Sequence, residues 1–195
     1  RVLPQLSRTD IYDAVVASPA LPGAHNQRID VLICPSDPPV TPNSPAISYV
    51  ANTGIQGLND PIANGLLHQS NKVSLSYVAK NDGVSTTLLI SENVDATQWN
   101  DSGVGMMGAD EHQTGLVWNP GMPTVALNKM AGTGGTGTDY ARPSSKHSGG
   151  FNVTFCDKST RFLSDEIDYN VYRLIMTPNG KSLGQAALSD AQLSQ

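Results

Sequence analysis

Residues 142–162, Arg-Pro-Ser-Ser-Lys-His-Ser-Gly-Gly-Phe-Asn-Val-Thr-Phe-Cys-Asp-Lys-Ser-Thr-Arg-Phe, restrict the fold more than any other stretch. They describe a loop that feeds a tight β-hairpin. With Asp157 and Lys158 as a two-residue turn, Cys156 faces Ser159, Phe155 faces Thr160, Thr154 faces Arg161 and Val153 faces Phe162. Phe151, Val153, Phe155 and Phe162 then share a core face, and Asn152, Thr154, Cys156 and Arg161 take the other. Such a turn wants positive φ at both positions, which Asp-Gly meets with little strain. Lys158 in that place costs on the order of 1 kcal/mol, which a longer or bulged turn would relieve. Gly149 and Gly150 point to positive φ or a close backbone approach ahead of the first strand. His147 is expected to tie this loop to a backbone group or to a carboxylate such as Asp157.

The rest of the chain is rich in turn formers. Its 195 residues include 18 Gly and 13 Pro, with only 38% hydrophobic and 15% charged residues. That balance favours short strands and long connections within one domain, residues 1–195, over a helical bundle. The net charge is −5 and the Lys and Arg residues are scattered. Phosphate backbones need a clustered positive face, so nucleic acid is excluded as a partner. No run approaches the roughly 18 apolar residues of a membrane-spanning helix. The opening Arg1-Val-Leu-Pro-Gln-Leu6 lacks a Met and a polar lead-in, so the natural polypeptide is expected to begin upstream.

Residues 7–17 read as a short helix capped by Thr9 or Asp10, with Ile11, Val15 and Val16 on one face. Ile29–Ile33 reads as a strand that ends at the proline-rich 34–42 segment, and Ile47–Ala51 as another. Residues 55–71 read as polar loop. Val73, Leu75 and Tyr77 alternate with serines, the pattern of a half-buried strand, and 86–90 reads as a fully apolar one. Residues 95–141 form a long irregular insertion across the surface. A helix over about 168–176, capped by Asp168, precedes a polar tail at 181–195.

Motifs for chemistry are sparse. Gly132-Thr-Gly-Gly-Thr-Gly137 matches a dinucleotide fingerprint, but no strand precedes it and Pro143 breaks the helix that should follow. Gly180-Lys181-Ser182 lacks the upstream Gly of a phosphate loop, because that position is Ile175. No nucleophile-elbow serine occurs. Asp110-Glu111-His112 are adjacent and converge on one ion only if the backbone bends sharply. His25 and His68 stand alone. Asp82, Glu92, Asp157 and Glu166 are the pool for a carboxylate pair, and nothing in their spacing brings two together. No metal site is assigned. The two cysteines, Cys34 and Cys156, fit either one long-range disulfide, contributing on the order of 4–5 kcal/mol by loop entropy, or two buried thiols.

Several blocks, taken in order, resemble the bacterial prepilin-type proteins whose C-terminal motif is a His followed after nine residues by Asp-Gly. They are Val2-Leu-Pro-Gln-Leu with Ile11-Tyr-Asp, Cys34-Pro-Ser-Asp-Pro38, Ser48-Tyr-Val-Ala-Asn-Thr-Gly54 and Asp82-Gly-Val-Ser-Thr-Thr-Leu-Leu-Ile-Ser-Glu92. Arg142–Phe162 carries His147, Gly149, Gly150, Asn152 and Asp157 of the naming motif, and Ile167-Asp-Tyr-Asn-Val-Tyr with Met176-Thr-Pro-Asn-Gly180 closes the series. Lys158 departs from the motif's Gly.

The resemblance implies an α+β, pilin-like antiparallel sheet with short helices and a long insertion, and an apolar N-terminal helix outside this sequence. It implies export to the periplasmic face of the inner membrane or into a fibre, with self-association or other pilin-like subunits as partners. An oxidising compartment makes a Cys34–Cys156 disulfide the expected state. Some pseudopilins bind calcium in loops near the C-terminus, so calcium is the one cofactor the resemblance suggests. The expected function is structural, the head of a pilin-like or pseudopilin subunit, and not enzymatic. Two alternatives remain: an extracellular solute- or glycan-binding module that stacks ligands on Trp99, Trp118 and Tyr140, and a secreted hydrolase. Fold-level analogy carries this ranking.

Overall fold

The computed structural model describes residues 2–17, 26–54, 64–67, 73–100, 115–118, 127–128, 140–188 and 192–193. Within them a five-stranded mixed sheet and short helices make an α+β fold. The strands are β1 (Tyr49–Asn52), β2 (Leu88–Glu92), β3 (Gly115–Leu116), β4 (Gly150–Phe155) and β5 (Thr160–Ser164). Their spatial order is β3-β1-β2-β4-β5. The sheet is antiparallel except at one edge, where β3 runs parallel to β1. The helices are α1 (Thr9–Ala17), α2 (Leu75–Lys80) and α3 (Tyr169–Met176). None is long and apolar enough to cross a membrane.

Helix α3 covers the core face of the sheet. Asp168 caps it, its carboxylate accepting from the Asn170 N–H at 2.7 Å. Val171, Tyr172, Ile175 and Met176 form a buried stripe at helical spacing. They pack in one cluster with Val50, Leu88, Phe151, Val153, Phe155 and Leu163 of the strands. Each large side chain removed from water here contributes roughly 1.5–3 kcal/mol. The buried Tyr172 hydroxyl donates to the Val117 carbonyl at 2.6 Å and so secures the chain just after β3.

The hairpin forms one residue out of the expected register. Phe151 pairs with Leu163, Asn152 with Phe162, Val153 with Arg161 and Thr154 with Thr160. Three residues, Cys156 to Lys158, make the connection, with the Lys158 N–H donating to the Phe155 carbonyl at 2.9 Å and the Phe155 N–H donating to Ser159 at 2.9 Å. Lys158 takes φ 71°, the single left-handed residue that such a bulged turn requires. A one-residue slip exchanges the faces of β5. Leu163 therefore enters the core, and Phe162, expected inside, is 53% exposed.

Other expectations change as well. Ser74 caps a helix by accepting from the Tyr77 N–H at 3.2 Å, so the alternating stretch 73–77 leads into α2 and is no strand. The apolar run at 29–33 is a 3-10 turn, Asp30–Leu32, with Ile29 and Ile33 buried at its ends. The 95–141 segment is not confined to the surface. Leu116, Trp118 and Leu127 from it belong to the main core.

Candidate functional site

The sheet face opposite α3 carries a polar row. Tyr49 of β1 lies opposite Glu92 of β2, and Asn152 of β4 lies opposite Phe162 of β5. Ser91 pairs with Val153, which sets Glu92 beside Asn152. The Glu92 side chain is only 4% exposed. A carboxylate so far from water must be hydrogen-bonded or neutralised.

Glu92 is hydrogen-bonded through both of its oxygens. Its Oε2 accepts from the Asn152 backbone N–H at 2.8 Å and the Asn152 side-chain amide at 3.3 Å. Its Oε1 takes His147 Nε2 at 3.0 Å and the Cys34 thiol at 3.4 Å. The Cys34 sulfur and His147 Nε2 are 3.6 Å apart. The three side chains thus form a closed triangle, with Cys34 and Glu92 buried and His147 half-buried.

Each corner is held by its own element. The Cys34 N–H donates to Ser48 Oγ at 2.9 Å, beside the start of β1. Glu92 ends β2, and its carbonyl accepts from the Ser144 N–H at 3.0 Å. The His147 N–H donates to Ser145 Oγ at 3.0 Å, and that hydroxyl donates to the Gly150 carbonyl at 2.7 Å. Gly149 sits at φ 78°, turning the loop so that His147 folds back over the sheet. Gly150 has no room for a Cβ, which would strike the Leu163 carbonyl. The Tyr49 phenol lies against the cluster. Burial first, then the Cys34 and Glu92 groups, push its pKa up to about 12. Burial also raises the Asp37 carboxyl, with Glu92 adding to the effect and Lys146 opposing it. Asp37, Cys34 and Glu92 border a small cavity of about 10 Å³, the space of one water centre.

Among the described residues, this is the only grouping of three or more His, Cys, Asp or Glu side chains with ligand atoms in reach of one ion. Calcium takes about six to eight oxygen donors. One carboxylate with a sulfur and an imidazole does not fit it.

A family model described as "Protein of unknown function (DUF1559)" matches residues 1–170. The chain belongs to that family. No curated protein and no solved structure matches it. In this DUF1559 chain the matched span contains Cys34, Glu92, His147 and Asn152.

Several expected site residues have other places. Cys34 and Cys156 form no disulfide; both are free and buried. Cys34 faces Glu92, whereas Cys156 packs with Leu66 and Val78 beneath α2. His147 does not reach Asp157, whose carboxylate accepts from the Ser159 N–H at 2.8 Å and the Ser159 hydroxyl at 2.6 Å within the turn. Trp118 is buried in the core, its indole N–H donating to the Asn64 carbonyl at 2.9 Å, so it offers no stacking surface. Trp99 is half-buried and donates to the Gln27 carbonyl at 2.8 Å. Tyr140 is also half-buried, and its carbonyl accepts from Asn93 at 3.0 Å. His25, His68, Asp110–His112 and Gly132–Gly137 lie outside the described residues. Glu92 is the residue that sequence reasoning passed over as a centre. Its signal is a charged side chain closing the strand that opens on Leu88-Leu-Ile90.

Proposed function

We propose that this chain is the head domain of an exported, pilin-like structural subunit of the prepilin-type group, and not an enzyme. One observation carries the reading. Cys34, Glu92, His147 and Asn152 come from three separate sequence blocks that resemble that group, and they meet in a single cluster. Their polar atoms satisfy one another: Glu92 spends both oxygens on partners within the cluster. The motif thereby works as a clasp. It fastens the 34–48 loop and the 140–150 loop onto the end of β2, on the face that α3 leaves uncovered. A residue set saturated in this way suits architecture better than turnover. In this reading the chain is held at the periplasmic face of the inner membrane or in a fibre, through an apolar helix upstream, and its partners are further copies or other pilin-like subunits.

In-cell cross-linking of the tagged, full-length protein tests this, followed by separation of membrane, soluble and sheared surface fractions. The expected result is a ladder of multimers, or adducts with pilin-like subunits, in the membrane or sheared fraction. Monomer alone, released in the soluble fraction, would overturn the reading.

A further inference from the structure

We infer that Cys34, Glu92 and His147 form a binding site for one zinc ion, with a water completing the coordination. The distances carry it. Zinc bonds sulfur at about 2.3 Å, imidazole nitrogen at about 2.0–2.1 Å and carboxylate oxygen at about 2.0–2.2 Å, in a tetrahedron. One face of that tetrahedron then has a sulfur–nitrogen edge of about 3.6 Å, a sulfur–oxygen edge of about 3.6 Å and a nitrogen–oxygen edge of about 3.4 Å. The corresponding separations here are 3.6, 3.4 and 3.0 Å. Opening the triangle by no more than about 0.4 Å on its shortest edge admits the ion.

Charge and orientation agree. A Cys34 thiolate, a Glu92 carboxylate and a neutral His147 carry two negative charges between them, which a divalent cation neutralises. That balance suits a carboxylate that is 4% exposed. On binding, the Cys34 proton leaves to solvent, and His147 presents the Nε2 lone pair with its proton on Nδ1. Asn152 is the supporting partner. Its two N–H groups hold Glu92 Oε2 and leave Oε1 turned toward the sulfur and the imidazole. The mixed sulfur, nitrogen and oxygen donors favour zinc over calcium or magnesium. Cys34 and Glu92 also line a small cavity with room for one water. His147, 30% exposed, leaves a route in from solvent.

The test uses the 195-residue chain, stripped of metal and kept reduced with a non-chelating phosphine. Zinc is titrated against a chromophoric chelator, and cobalt(II) replaces zinc for absorption spectra. One zinc per chain is expected. The cobalt adduct should show a thiolate-to-metal charge-transfer band and the strong visible absorption of four-coordinate cobalt. Cys34→Ser should abolish the band and weaken zinc by more than the roughly 10–100-fold that loss of a supporting partner costs. Cys156→Ser should change neither, and circular dichroism checks that both variants are folded. The wild-type spectrum needs no variant, so the test stands even where Cys34→Ser fails to fold. No stoichiometric zinc, a cobalt spectrum without the thiolate band, or a band lost with Cys156→Ser and kept with Cys34→Ser would each overturn the assignment.

Discussion

Lys158 donates its amide to the Phe155 carbonyl at 2.9 Å, and it does so from left-handed backbone, φ 71°. The contact closes the β4–β5 turn and fixes the register that puts Leu163 inside. A lysine pays for that φ with its Cβ, and a glycine does not. Lys158→Gly should therefore stabilise the chain by about 0.5–1 kcal/mol, after allowing for glycine's greater freedom when unfolded. Urea denaturation checks this, and a lower midpoint for the variant would count against the turn geometry.

Asn52 is a buried polar link between sheet and helix. Its side-chain N–H groups donate to the Leu88 carbonyl at 2.8 Å and the Met176 carbonyl at 2.7 Å. Asn52→Asp keeps the shape but cannot donate when ionised, and it places a charge against two carbonyls. The expected loss exceeds about 2 kcal/mol at neutral pH. A loss under about 0.5 kcal/mol in the same denaturation measurement would contradict the link.

The thiols offer a chemical test. Unfolded in denaturant without reductant, the chain should release two free thiols, because Cys34 and Cys156 occupy separate sites. Burial, with the Asp157 charge adding to it, pushes the Cys156 thiol up to about 11. Its alkylation in the folded chain should thus be slow at pH 8 and should track global opening. Zero free thiols on unfolding would mean a disulfide after all.

Stability should carry a pH signature at Asp82. Burial raises this carboxyl above its ordinary range, while the Gly180 N–H donating at 2.6 Å works the other way. A carboxyl with a higher pKa folded than unfolded holds its proton more tightly in the folded state. Its ionisation therefore costs stability as pH rises from about 4 through the folded value, and the cost is constant above it. Asp82→Asn removes that term. Its stability relative to wild type should climb with pH over that window and then level off. A relative stability that falls across the window would contradict the sign.

Local signals were legible in the sequence where one element explains itself. Asp168 followed by a helical stripe gave α3, and the apolar run before Glu92 gave β2, displaced by two residues. Local signals misled where two patterns coincide. The alternation from Val73 to Tyr77 is also a Ser74 cap with the first turn of α2. A two-residue turn puts Phe162 inside, and the one added loop residue reverses the strand. The site was the least legible part. Residues 34, 92 and 147 meet only through the sheet and the returning loop, and no spacing along the chain encodes that meeting. His147 reads as a tie in the sequence, but its partner lies 55 residues away.

Glu92 and His147 hold the returning 140–150 loop to the end of β2 as one energetic unit. A double-mutant cycle measures this directly, with Glu92→Gln, His147→Gln and the pair compared by urea denaturation in a chelating buffer at neutral pH. A coupling of about 1–3 kcal/mol between the two positions is expected. Additivity to within about 0.3–0.5 kcal/mol would contradict it and leave the cluster a coincidence of packing.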